Sequence, residues 1–271
     1  MVSIYWDWIN LLEYIDTHCH LNLANFEHDR DQVLLRANQC GVTHFIVPGY
    51  DLETSRSAIA LAEKYQNVFA AVGVHPNSAN EWDENALSEI IELSSHPKVV
   101  AIGEIGLDYY RDHTTPEQQL HALIPQVETA LSKDLPVIFH SRKAEQQLID
   151  LLQKPSFTHL RGVFHAFEGS LDQALQVTSL GFVIGVGGQL TYKKNERHRF
   201  LISSLTADSI ILETDAPFLS PVPLRGTRNE PSNIPIIAEL VANLLNCSIM
   251  EIAQQTTNNA LKTFSIVPSK L

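Results

Sequence analysis

The chain has 271 residues, of which 44% are hydrophobic and 18% are charged. This composition is typical of a globular protein with one large apolar core, and it excludes disordered, collagen-like and disulfide-stabilised classes. Thirty-one acidic residues against nineteen basic ones give a net charge of -12, which excludes strong attraction of the whole chain to polyanions. A nucleic-acid partner would therefore have to be bound by local basic groups or by bound cations.

Targeting and membrane signals are missing from the sequence. Its apolar runs are shorter than the roughly 18–20 residues of a membrane-spanning helix. The apolar N-terminal segment contains Asp7 and Glu13 and lacks a basic leader and a small-residue cleavage site. Cys19, Cys40 and Cys247 are widely spaced, which suits a reducing compartment. We expect a cytoplasmic monomer without disulfides, membrane contact or an obligate protein partner.

Short apolar, β-branched segments alternate along the chain with longer segments of helical period. The predicted strands are Glu13–His18, Val42–Pro48, Val68–Val74, Val99–Gly103, Pro136–His140, Gly162–His165, Phe182–Val186 and Ser209–Glu213. The predicted helices are Glu27–Gln39, Leu52–Tyr65, Glu84–Ser94, Pro116–Lys133, Lys143–Leu152, Leu171–Leu180, Glu196–Ser204, Ile234–Leu245 and Ile249–Leu261. This α/β alternation predicts a parallel sheet covered by helices.

The positions of polar residues distinguish a closed barrel from an open doubly wound sheet. In a barrel, functional residues follow the C-terminal ends of many strands. An open sheet that binds a dinucleotide carries a glycine-rich fingerprint after its first strand, and this sequence has none there. Seven such residues follow strands here: His18, His20, His75, Glu104, His140, His165 and Asp215. The sequence predicts a single-domain (β/α)8 TIM barrel over residues 13–271, with a metal site at the C-terminal face of the strands and a short extension over residues 1–12.

His18 and His20 are two residues apart at a strand end, so the pleat directs both imidazoles to one face, where they can chelate an ion. Asp16 shares their parity and is predicted to orient the pair. Cys19 points the other way and is predicted to be a small buried hydrophobe.

Glu104 follows an apolar strand, where a carboxylate needs a cation, and it is predicted to bridge two ions. His140 and His165 end neighbouring strands and complete a second site with Glu104. Asp215 follows the eighth strand beside the first, where it can ligate an ion and also take a proton from water. Imidazoles and carboxylates together suit Zn, Mn, Fe or Ni better than an all-oxygen magnesium site.

Basic and aromatic side chains follow the same strands. Arg142 and Arg228 are predicted to clamp a phosphate, because guanidinium binds oxyanions in a bidentate manner. Four aromatic residues of these loops could stack a base or simply pack: Tyr109, Tyr110, Phe167 and Tyr192.

Seven motifs occur in order at the predicted strand ends: IDTHCHL (15–21), GVHP (73–76), GEIGLDYY (103–110), PVIFHSR (136–142), FHAFEG (164–169), LETDAP (212–217) and RGTRNEP (225–231). With these motifs the chain resembles the TatD family of metal-dependent deoxyribonucleases over about residues 15–264. The family often has a histidine and a small hydroxyl residue where this chain has Asn77 and Glu168.

The resemblance implies that His18, His20, Glu104 and Asp215 hold one divalent ion, and that Glu104, His140 and His165 hold the other. It implies 3′–5′ exonuclease activity on single-stranded DNA, with RNA as a further substrate, supported by Mg²⁺ or Mn²⁺, with Zn²⁺ as another bound ion. Asp215 would act as general base, Glu104 would bridge the ions, and His75 and Arg142 would position the phosphate.

Two other functions fit the same sequence. A hydrolase of a small ester, amide or lactone would use the same ions to attack carbon, although the arginines favour a phosphate. An interaction subunit without activity would be indicated by a lost ligand, and the sequence keeps all of them.

Overall fold

The computed structural model describes residues 12–267 as one parallel sheet of eight strands with helices between them. The strands are β1 (Tyr14–Asp16), β2 (Val42–Pro48), β3 (Val68–Val72), β4 (Val99–Asp108), β5 (Val137–Arg142), β6 (Gly162–Phe164), β7 (Val183–Val186) and β8 (Ile210–Leu212). Each strand is hydrogen-bonded in parallel to the next one in the sequence, in the order β1 to β8.

Contacts between the first and last strands close the sheet. The amide of Thr17 donates to the carbonyl of Leu212 at 3.1 Å, and that of Asp215 donates to the carbonyl of His18 at 2.8 Å. Cys19 also forms an isolated parallel bridge with Ala216. The predicted (β/α)8 barrel is therefore confirmed.

The connecting helices match the predicted ones closely. They are α1 (Arg30–Gln39), α2 (Leu52–Lys64), α3 (Glu84–Leu93), α4 (Pro116–Ser132), α5 (Glu145–Leu152), α6 (Leu171–Ser179), α7 (Glu196–Ser203), α8 (Ile234–Leu245) and α9 (Ile249–Thr263). Capping boxes, in which side chain and backbone exchange hydrogen bonds across the first turn, start the helices that follow Asp51, Thr115, Ser170 and Ser248.

Side chains of the strands separate into two apolar clusters, as the two-residue period of a strand requires. On β5, Ile138 belongs to a small cluster, while its neighbours Val137 and Phe139 belong to the large one. The small cluster also includes Ile46 and Ile211 and fills the barrel, and the large one packs the strands against the helices.

The main difference from prediction lies in β4, which continues five residues beyond Gly103, so that Glu104 lies within the strand. A register shift between Ile102 and Ile105 lets the strand continue its pairing with β5. Gly106 has φ +146, and a side chain there would collide with the carbonyl of His140. Gly103 and Gly106 therefore allow β4 and β5 to approach closely.

Residues 1–11 of the predicted extension lie outside the described part of the chain. Within that part, no single helix is both long and apolar enough to cross a bilayer. The segments Pro231–Leu245 and Ile249–Thr263, which meet at a bend of 108°, satisfy that test only when taken together. The three cysteines are unpaired, and Cys19 is fully buried.

Candidate metal centre

Both histidines of the first motif face two carboxylates. His18 Nε2 lies 3.3 Å from His20 Nε2 and 3.3 Å from Glu104 Oε2. Asp215 Oδ1 lies 3.4 Å from His20 Nε2 and 3.8 Å from His18 Nε2. The histidines follow β1 rather than end it, and they are nonetheless directed to the same point.

Glu104 separates this group from a second group of donor atoms. Its Oε1 lies 2.9 Å from His140 Nδ1 and 3.6 Å from His75 Nε2. His165 stacks on His18, with ring centroids 3.5 Å apart. Donor atoms within 4.8 Å of one another form three groups: His18 with His20 and Asp215; His18 with Glu104 and His165; and His75 with Glu104 and His140.

The spacing of these donors fits a metal ion. Ligands at about 2.0–2.1 Å from a tetrahedral ion lie about 3.3 Å from one another, and His18 Nε2 lies at that distance from both His20 Nε2 and Glu104 Oε2. Two imidazole nitrogens that face each other can share only one proton, whereas a cation accepts both lone pairs. The residues present therefore fit a bound divalent cation.

The protonation states of Glu104, Asp215 and His18 also favour binding of a cation. Burial raises the pKa of Glu104, but His18, His75 and His140 together bring it well below its usual range. Burial likewise opposes ionisation of Asp215, whose pKa is lowered overall by neighbouring histidines. Burial lowers the pKa of His18, and His165 lowers it further. Charged carboxylates and a neutral imidazole are the forms that bind metals.

A hydrogen bond determines the tautomer of His75. Its Nδ1 accepts from the amide of Asn77 at 3.0 Å, so Nδ1 carries no proton. Burial, together with neighbouring His140, lowers the pKa of His75 to about 3, so the ring is neutral and its proton lies on Nε2. His75 therefore presents a hydrogen-bond donor, not a lone pair, toward Glu104.

Glu213, which the sequence analysis did not single out, holds His165. Its Oε1 lies 3.0 Å from His165 Nδ1 and accepts from the amide of Ala166 at 2.6 Å. Burial lowers the pKa of His165, but Glu213 outweighs this effect and raises it to about 10. A side chain at Gly185 would collide with the Glu213 carboxylate, so this glycine provides the space for it. Glu213 holds Nδ1, so Nε2 is the nitrogen of His165 that would ligate when a cation displaces its proton.

Asp108 holds His140 in a similar way. Its Oδ2 lies 3.2 Å from His140 Nε2, and its side chain is almost completely buried. Burial lowers the pKa of His140, but contacts with Asp108 and Glu104 raise it to about 8. Asp108 and Glu213 were both missed, and the available signal was a carboxylate within or just after an apolar strand segment.

Asp16 was predicted to orient the histidine pair, and the structure gives it a different set of contacts. It accepts from the amide of His18 at 3.3 Å and from the amide and hydroxyl of Thr214 at 3.0 and 2.5 Å. Asp16 thus joins the ends of β1 and β8 through two backbone amides and the Thr214 hydroxyl. Burial raises its pKa to about 7.

Three non-glycine residues adopt left-handed backbone conformations within three residues of a strand end. They are Lys143 with φ 56, Ala166 with φ 43 and Asp215 with φ 56. Such conformations are unfavourable for residues with a side chain and are concentrated at functional sites. The backbone amide of Asp215 donates a hydrogen bond to the carbonyl of His18, which holds the Asp215 carboxylate beside the histidines.

The two arginines predicted to clamp a phosphate have different surroundings. Arg142 lies two residues beyond His140 on β5 and therefore shares its face. Arg228 is bound by Asp29 through two contacts of 2.8 and 2.6 Å and by Glu230 at 2.8 Å. Its guanidinium also lies over Phe26 at 4.8 Å. These contacts already occupy the guanidinium of Arg228 and argue against a direct phosphate clamp there.

Replacing Arg228 with alanine is accordingly expected to lower stability rather than substrate affinity. The change leaves Asp29 and Glu230 with only Arg36 as a partner, which should cost about 1–2 kcal/mol of the free energy of unfolding. Denaturant unfolding and steady-state kinetics on the same variant test this. A KM raised more than about tenfold at unchanged stability would support the clamp instead.

An eight-stranded barrel with histidines and carboxylates at the C-terminal ends of its strands has the architecture of a metal-dependent hydrolase. Residues 15–265 match the family described as TatD related DNase. The chain is 37% identical over 251 residues to the uncharacterized metal-dependent hydrolase YabD of Bacillus subtilis, covering 93% of this chain and 98% of YabD. It is 35% identical over 258 residues to the 3′–5′ ssDNA/RNA exonuclease TatD of Erwinia amylovora, and the match covers 93% of this chain and 99% of that relative.

The crystal structure of YjjV, a TatD homologue of Escherichia coli, superposes with a TM-score of 0.89 at 37% identity. The match covers 94% of this chain and 98% of YjjV. The chain therefore belongs to the TatD family and is a metal-dependent hydrolase.

Proposed function

We propose that this protein removes nucleotides from the 3′ end of single-stranded DNA, and of RNA, by hydrolysis of the terminal phosphodiester. The observation that carries the proposal is the sharing of one carboxylate, Glu104, between two groups of nitrogen donors, which suits two-ion phosphodiester chemistry. Relatives named as 3′–5′ ssDNA/RNA exonucleases support it.

In the proposed arrangement one divalent ion is held by His18, His20, Glu104 and Asp215, and a second by Glu104, His140 and His165. When bound, such ions supply positive charge for the phosphate oxygens and lower the pKa of water.

The side chains have separate roles in this mechanism. Asp215 is ionised and partly open to solvent, so it accepts the proton of the attacking water. His75 donates a hydrogen bond from Nε2–H to a phosphate oxygen, and Arg142 binds the same phosphate from the end of β5. Glu213 and Asp108 keep His165 and His140 in the tautomers that ligate.

The test uses 5′-labelled single-stranded DNA and the matching RNA, with Mn²⁺ or Mg²⁺ compared with EDTA, and product resolution of one nucleotide. We expect a metal-dependent ladder that shortens from the 3′ end, and retention of the ladder in the control Glu92→Gln, which changes an exposed carboxylate on α3. No cleavage by protein that contains about two metals per chain would contradict the proposal and favour a small ester, amide or lactone as the substrate.

A further inference from the structure

An exposed tyrosine beside the metal centre is surrounded by positive charge. Tyr110 follows β4, and 53% of its surface is exposed. The guanidinium carbon of Arg142 lies 3.9 Å from the centre of its ring, Lys143 Nζ lies 4.9 Å from it, and the guanidinium carbon of Arg111 lies 5.9 Å from it. Among residues 12–267, the salt bridges of lysine and arginine involve none of these three cations.

This tyrosine is joined to the metal centre by a single carboxylate. Asp108 Oδ1 accepts from the amides of Tyr110 and Arg111, each at 2.9 Å. The other oxygen of Asp108 contacts His140 Nε2. On the β5 side, the carbonyl of Arg142 accepts from the amide of Tyr109 at 2.9 Å. The backbone of Tyr110 is therefore held at a fixed place relative to a metal-ligand histidine.

The three cations and the exposed tyrosine ring together suit a ligand that carries both negative charge and a flat aromatic group. Three cations around one ring, without a salt bridge to any of residues 12–267, are a local site for anions in a chain whose net charge is -12. A half-exposed aromatic ring with a guanidinium packed against it is a group on which a nucleobase can stack, because every base has a π-face. Bases are accessible in this way in a single strand, whereas a duplex stacks them internally.

We propose that Tyr110, backed by Arg142, is the stacking platform for one unpaired base next to the scissile phosphate, and that Lys143 and Arg111 bind the flanking backbone phosphates. This inference rests on the proposed nuclease function. It adds a requirement for a planar, unpaired base at one defined position of the strand.

The test combines a change in the protein with a change in the substrate. Wild type and Tyr110→Ala are compared on a single-stranded oligothymidylate and on versions with 5,6-dihydrothymidine at each of the last three positions, since a saturated ring stacks poorly. For wild type we expect kcat/KM to fall about tenfold at one of these positions. Tyr110→Ala should lose about tenfold with thymidine and nothing further with the saturated base, a coupling of about 1.4 kcal/mol.

Two control variants accompany this cycle. Tyr110→Phe keeps the ring and should retain the wild-type preference for the planar base. Phe200→Ala removes another exposed aromatic residue, 64% exposed on α7, and should retain it as well.

The outcomes separate the two proposals. If wild type shortens the oligonucleotide and the two changes act independently, so that their effects multiply, the platform is overturned while the nuclease function stands. If wild type shortens no oligonucleotide, the nuclease function fails and the platform fails with it.

Discussion

Replacing Glu104 with glutamine is expected to lower kcat/KM by at least about 10³-fold, which corresponds to about 4 kcal/mol of transition-state stabilisation. Its two oxygens face different donor groups, Oε2 toward His18 and Oε1 toward His140. A neutral amide offers one weak oxygen ligand in place of a charged bridge, so both ions should bind more weakly. Metal content measured by mass spectrometry should fall together with turnover.

The fold should survive this change. The carboxylate lies at the end of the barrel interior where polar side chains gather, and the apolar clusters that hold strands and helices together do not include it. Circular dichroism and the unfolding midpoint should therefore remain close to those of wild type. Near-normal turnover of Glu104→Gln with metal present would show that this residue does not bridge the ions.

Replacing Asp215 with asparagine is expected to have an effect of similar size, about 10³-fold on kcat, for a different reason. The variant loses the proposed proton acceptor for water, a role worth about 10²–10⁴-fold, and it should weaken only the proposed ion beside His18 and His20, which the Asp215 carboxylate faces. Because His75 and Arg142 are unchanged, KM should change much less than kcat. Metal content should fall from about two ions per chain toward one.

A matched control for this variant is Asp150→Asn, which changes an exposed carboxylate on α5 that contacts Gln146. It should behave as wild type in both kcat and metal content. Normal turnover of Asp215→Asn would show that Asp215 is neither the proton acceptor nor a required metal ligand. Protein that keeps both ions but loses turnover would restrict Asp215 to proton transfer.

The strands and helices were readable from the sequence because their signals are local. The bounds of β2 at Val42–Pro48 and of α8 at Ile234–Leu245 are those predicted from apolar runs and helical period. The sequence also allowed us to predict that the six candidate ligands lie close together, since parallel strands of a barrel place their C-terminal ends on one face. His18 and His140 thus needed no long-range information beyond the number of strands.

Other features depend on pairs of residues that are distant in the chain. Asp16 contacts Thr214, 198 positions away, and Arg228 pairs with Asp29, 199 positions away. A sequence pattern records that each of these residues is charged or polar, but it does not record which partner is present. This is why Arg228 was predicted as a phosphate clamp although its charge is occupied by carboxylates.

The sequence alone therefore determined the barrel, the order of its elements and the set of candidate ligands, because periodicity and strand-end position are properties of single segments. Only the tertiary structure decided that β4 continues through Glu104, that Glu213 and Asp108 contact His165 and His140, and which nitrogen of His75 carries its proton. These outcomes depend on distances of about 3 Å between different strands and loops, where hydrogen bonds either form or fail to form. Such distances are set by the packing of the whole barrel.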